Sequence, residues 1–194
     1  LFTIIISAAG ILFSVFFFTI SELIYILPVA FISLLYSIGD NKKLKGIREI
    51  PYLKIFIITF SWGYVTGFLP GIFSGQNYSE IFPVFLMKTL FAFCVYIPFE
   101  IRDMQTDPVR FRTLPQVLGA KGSLFTGVIF LFIFCWLSFD YSFIPAGTII
   151  AVCIITFTGL MLSVKKKSEM FYFLFIDSLL VLKPVFSFAA LKFF

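Results

Sequence analysis

Residues 81–119 read IFPVFLMKTLFAFCVYIPFEIRDMQTDPVRFRTLPQVLG, and they decide the fold. Residues 81–101 are apolar apart from Lys88, Thr89 and Glu100. A bilayer core about 30 Å thick takes roughly 20 apolar helical residues to cross, so this run is read as a membrane span. Residues 102–119 then gather two aspartates, three arginines and a Thr-Leu-Pro turn against its end.

Outward from this stretch the same pattern repeats. Hydrophobic residues make up 60% of the chain, charged residues 13%, and 30 of the 194 residues are Phe, a composition that excludes an ordinary soluble domain. Seven runs of span length are read, at about 2–20, 22–38, 53–73, 81–101, 122–139, 143–163 and 170–191. They are continuous rather than alternating, so helices are expected over a barrel: a helix satisfies its own backbone in a medium without water. The expectation is an all-α, polytopic bundle in one domain spanning residues 1–194, with short turns at 20–22 and 140–142 and polar loops at 39–52 and 102–121.

The basic residues give an independent reading of topology. Lys42, Lys43, Lys45, Arg48 and Lys54 form one group, Arg102, Arg110, Arg112 and Lys121 a second, and Lys165, Lys166 and Lys167 a third. With seven spans all three groups fall on one side, which the positive-inside rule makes cytosolic. The net charge of +5 is thus topological, and no basic soluble fold is present to suggest nucleic acid. Leu1 lies on the cytosolic side within an apolar run, and is expected to be an internal or processed start rather than a signal peptide. Cys94, Cys135 and Cys153 lie inside spans without disulfide or metal spacing and are read as packing residues.

Glu100, Asp103 and Asp107 are spaced i, i+3 and i+7, within about 60° on a continued helix. Two carboxylates one turn apart suit Mg²⁺, which takes hard oxygen donors and bridges to phosphates. Pro108 should end the helix. Glu100 taken alone is read as a solvated charge at the end of a span.

Asp103, Asp107, Arg112, Thr113, Leu114, Pro115 and Gly119 resemble the second aspartate-rich motif of the UbiA superfamily of intramembrane prenyltransferases, a DxxxD pair followed by a basic residue and Thr-Leu-Pro. Phe111 departs from it, standing where many relatives have Gly. A weaker match lies at residues 34–54, where Tyr36, Lys45, Arg48 and Lys54 are similar to a span-ending Tyr and the basic residues after it. The resemblance implies a nine-helix bundle with a cavity opening to lipid under cytosolic loops. Seven spans are then present, and the first two are expected to be missing together with the partner motif NDxxDxxxD. Asn41 and Asn77, the chain's asparagines, lack that acid pattern, so the chain alone is not expected to turn over.

The implied chemistry is Mg²⁺-dependent transfer of a prenyl group from an isoprenyl diphosphate to an acceptor, often aromatic, as in quinone biosynthesis. Asp103 and Asp107 would bind the metal, Tyr36 would join them in catalysis, and Lys45, Arg48, Lys54 and Arg112 would hold the diphosphate. Arg suits this by bidentate bonding and Lys by point charge. Membrane lipid is the surrounding partner, no protein partner is expected, and a bacterial inner membrane with the acidic motif facing the cytoplasm is the expected location. The competing classes are a noncatalytic UbiA-like membrane protein and a secondary transporter, although no internal repeat of the transporter kind is seen.

Elsewhere, Gly63, Gly67 and Gly71 have the spacing of close helix packing. Asp177, inside the last run, is read as a cavity residue, and Lys88 as a snorkelling cation. Trp62 and Trp136 are read as anchors or cavity lining.

Overall fold

The computed structural model describes residues 19–38, 50, 52–107, 112–141, 144–164, 168–181 and 184–185. Among them every regular element is helical. The helices are α1 (Ile20–Ile38), α2 (Leu53–Phe73), α3 (Tyr78–Asp103), α4 (Leu114–Tyr141), α5 (Ala146–Leu162) and α6 (Phe171–Val181). Three of these, α2, α3 and α4, are long and apolar enough to cross a membrane. Six helices therefore stand among the described residues where seven runs are expected, and the run at 2–20, apart from its last two residues, lies outside them.

Local chemistry sets the helix ends. Thr19 and Glu22 form a capping box: Thr19 N–H donates to Glu22 Oε2 at 2.7 Å, and Glu22 N–H to Thr19 Oγ1 at 3.3 Å. Residues 20–22, expected as a turn, are accordingly the first turn of α1. At the far end of α2, Gln76 N–H donates to Gly71 O and Gly75 N–H to Ile72 O, a Schellman closure with Gly75 at φ 71°. Both α2 and α6 contain a π-helical segment, at Tyr64–Phe68 and Phe171–Ile176.

Helix α3 is the axis of the bundle, packed against α2, α4, α5 and α6. Its 26 residues span about 39 Å at 1.5 Å per residue. Phe91, Phe93, Cys94, Val95 and Ile97 are all buried, so its middle is covered on every side, as an all-apolar helix requires. The three glycines of α2 face it. A Cβ on Gly63 would run into Thr89 Oγ1, one on Gly67 would lie 3.1 Å from Phe85 Cα, and one on Gly71 2.7 Å from Ile81 Cγ1. Their close-packing role is therefore observed. The outer faces stay apolar and exposed, with Phe125, Phe132, Trp136, Ile154, Phe157, Phe173 and Leu174 among them. Such a surface suits lipid rather than water.

Two expectations for the stretch after α3 are corrected. The helix stops at Asp103, not at Pro108, and residues 104–106 continue as turns. The loop expected over 102–121 is also shorter, because α4 already begins at Leu114. Thr113 N–H donates to Gln116 Oε1 at 3.0 Å, half of a capping box that starts the helix before the apolar run does. Gly119 breaks α4 one turn later, at φ 71° and ψ 167°, a region open essentially to glycine alone.

Candidate functional site

The start of α2 and the end of α3 meet around Lys54. Its Nζ lies 2.9 Å from Glu100 Oε1 and donates to Asp107 Oδ2 at 2.7 Å. Lys54 thus sits between an acid on α3 and an acid in the following turn. Glu100 is not a solvated end charge: it is 2% exposed. Its burial follows from its register, on the flank of α3 that α2 covers. The contact with Lys54 is electrostatic rather than an aligned hydrogen bond, and among the described residues neither Glu100 carboxyl oxygen has a hydrogen-bond partner. Thr113 Oγ1 is a further buried atom without one.

Asp103 belongs to a second centre. Arg102 Nε donates to Asp103 Oδ1 at 2.7 Å and Nη2 to Asp103 Oδ2 at 3.2 Å, while Nη1 reaches Glu169 Oε2 at 3.1 Å. The guanidinium also lies over the Phe99 and Tyr172 rings, with its carbon 5.3 and 5.2 Å from their centroids. Arg102 therefore links the end of α3 to the start of α6 through Glu169 and the Tyr172 ring, while its fork on Asp103 and its contact with Phe99 stay within α3. A cavity of about 410 Å³ opens beside it, lined in part by Arg102, Asp103, Thr106, Ser163, Glu169 and Tyr172.

Gln116 ties the acidic turn to α4. Besides accepting from Thr113 N–H, its Nε2 donates to Asp107 O at 2.9 Å and Met104 O at 3.4 Å. Tyr52 N–H donates to Arg112 O at 3.3 Å, and both residues have positive φ, 64° and 44°. Arg112 contributes a main-chain link, and its side chain is exposed.

The residues singled out in the sequence are thus partly assembled. Lys54, Asp107 and Asp103 lie at one end of the bundle. Tyr36 sits half-buried near the end of α1, within electrostatic reach of Tyr96 on α3. Lys45 and Arg48 lie outside the described residues. Glu100, Arg102 and Gln116 are the participants the sequence reading passed over. The Thr-x-x-Gln spacing could have pointed to Gln116, whereas nothing local announces the burial of Glu100.

Mg²⁺ needs free hard oxygen donors in near-octahedral array. Asp103 gives both oxygens to Arg102, and Asp107 Oδ2 accepts from Lys54. No group of three or more His, Cys, Asp or Glu side chains is placed to hold an ion among the described residues. In this arrangement a metal at Asp103 and Asp107 would have to displace the cations they hold. Comparisons with models of known protein families, with curated protein sequences and with solved structures return no match.

Proposed function

We propose that the protein is an intramembrane prenyltransferase of the UbiA type, transferring a prenyl group from an isoprenyl diphosphate to an acceptor, with an aromatic acceptor as the leading choice. The observation that carries this reading is the meeting of Lys54 with Asp107, which joins the first turn of α2 to the acidic turn after α3. A diphosphate clamp needs that meeting, and sequence separation alone does not supply it.

In this reading Lys54 offers a point charge to diphosphate oxygens, and Lys45, Arg48 and Arg112 add further cations. Tyr36, on α1, would join them in catalysis, as the resemblance implies. Mg²⁺ belongs to the proposal as the ion the resemblance implies for Asp103 and Asp107, which would first have to leave Arg102 and Lys54. The finer architecture also belongs here: seven spans of a nine-helix bundle, in a bacterial inner membrane with the charged end toward the cytoplasm.

The test is transfer. Membranes from cells expressing the complete protein are incubated with a labelled prenyl diphosphate and an aromatic acid, and apolar product is counted. Label should enter product in the wild type and fall to background in Asp103→Ala. Equal transfer by the two overturns the assignment.

One observation favours a second reading, a noncatalytic UbiA-like membrane protein. Asp103 and Asp107 each already have a cationic partner, as a purely structural lock would arrange. Transfer that stays at background in the wild type, with inorganic diphosphate neither bound nor released, selects this reading.

A further inference from the structure

Deeper in the bundle, a cavity of about 250 Å³ lies between α2, α3 and α6. Its walls include the rings of Trp62, Tyr96 and Phe99, and its polar groups include Thr59 and Asp177. Asp177 sits on a helix inside an apolar run, where an ionisable group is costly and ordinarily faces a partner. The structure gives it no hydrogen bond and no ion pair among the described residues. Arg102 attracts it electrostatically, but that guanidinium is bonded to Asp103 and Glu169.

The remaining polar chemistry faces the same way. Thr59 Oγ1 donates to Phe56 O at 3.4 Å, so toward the cavity it keeps acceptor capacity. A carboxylate and a spent hydroxyl present acceptors, and an ammonium head presents three donors and no acceptor. Aromatic faces add to this preference, since cations within about 6 Å of a ring centroid are attracted to it. Phe99 already carries one cation, Arg102, on its ring.

Backbone geometry marks the same place independently. Trp62 comes just before the π-helical segment Tyr64–Phe68 of α2, and Asp177 follows directly on Phe171–Ile176 of α6. Such segments re-aim side chains and occur frequently at functional sites. Size suits a small occupant: a dry cavity of about 150 Å³ accepts benzene, so this one, at about 250 Å³, has room for a single substituted ring.

We propose that this cavity binds a small organic ammonium ion, with its charged head at Asp177 and Thr59 and its apolar body against Trp62, Tyr96 and Phe99. The site adjoins the Arg102 centre through Phe99, and the proposal does not depend on prenyl transfer.

The test uses tryptophan fluorescence. The chain has two tryptophans, and Trp136 is 63% exposed on the outer face of α4, so Trp136→Phe leaves Trp62 as a reporter in the cavity wall. This protein, in lipid nanodiscs at neutral pH, is titrated with benzylamine and, separately, with its neutral isostere benzyl alcohol. The expected result is a saturable signal with benzylamine, at least about tenfold weaker binding of benzyl alcohol, and a similar loss for benzylamine with Asp177→Asn. Equal affinity for the two probes overturns the proposal and makes the cavity an acyl-chain crevice. Unchanged benzylamine binding in Asp177→Asn, or no saturable signal, overturns it too. The two-probe comparison requires no change at Asp177, so a poorly folding variant does not block the test.

Discussion

Lys54 Nζ lies 2.7 Å from Asp107 Oδ2 and 2.9 Å from Glu100 Oε1, so one lysine stands between two acids from separate segments. The side chains of Lys54 and Glu100 are 10% and 1% exposed. Burial makes the pair a specifier more than a source of net stability, because desolvating both groups offsets most of their attraction. Removing one partner is the costly event.

Lys54→Met should therefore destabilise the bundle by about 3–5 kcal/mol by leaving Glu100 buried and uncompensated. Lys54→Met combined with Glu100→Leu should recover most of that loss. Denaturant unfolding in micelles, followed by circular dichroism, measures both. A double variant no better than the single one would show that the pairing is incidental.

Gln116 makes three hydrogen bonds across the turn between α3 and α4. Gln116→Leu should cost about 1–3 kcal/mol, because Thr113 N–H loses its acceptor and the Met104 and Asp107 carbonyls lose a donor. Gln116→Glu keeps an acceptor for Thr113 but no amide donor, so it should fall between. Limited proteolysis within 104–113 reads the ordering directly, with cleavage fastest in the Leu variant.

How much of this was legible follows from the range of each signal. The run at 53–73 reads as one span because Ser74 to Asn77 interrupts the hydrophobicity where the chain turns, and α2 occupies those residues. The start of α4 was missed because hydropathy begins after Lys121, while the helix is nucleated earlier by Thr113 and Gln116. Glu100 was misread for a deeper reason. Periodicity places it on the face of Asp103, but α3 is surrounded, and only the neighbour that arrives at Lys54 determines whether that acid meets water. The same holds for Arg102, whose partners Tyr172 and Glu169 come from the far end of the chain.

The α2–α3 contact can be tested at its tightest points. Gly67→Ala places a Cβ 3.1 Å from Phe85 Cα and 3.3 Å from Phe85 N, and backbone atoms do not yield as a side-chain tip does. A loss of about 1–3 kcal/mol is expected. Gly147, at the start of α5, has nothing within 4 Å of the added carbon, so Gly147→Ala should be neutral or slightly stabilising. Thermal unfolding of the two variants side by side checks the contrast, and equal Tm values would remove the packing argument.

Asp103 and Asp107 separate folding from chemistry. Asp103 is paired with Arg102, but Arg102 retains Glu169, Phe99 and Tyr172 when Asp103 is removed. Asp107 is paired with Lys54, which retains Glu100. Each aspartate is partly exposed, at 30% and 18% for the side chains, so each Ala substitution should change stability by only about 1 kcal/mol. If these acids handle a diphosphate, the same substitutions should lower prenyl transfer by about 100-fold or more, the scale seen when a dedicated electrostatic group is removed. The measurement is unfolding and transfer on the same preparations. Loss of transfer with the fold intact assigns the carboxylates to chemistry. Loss of both together returns them to the role of a structural lock.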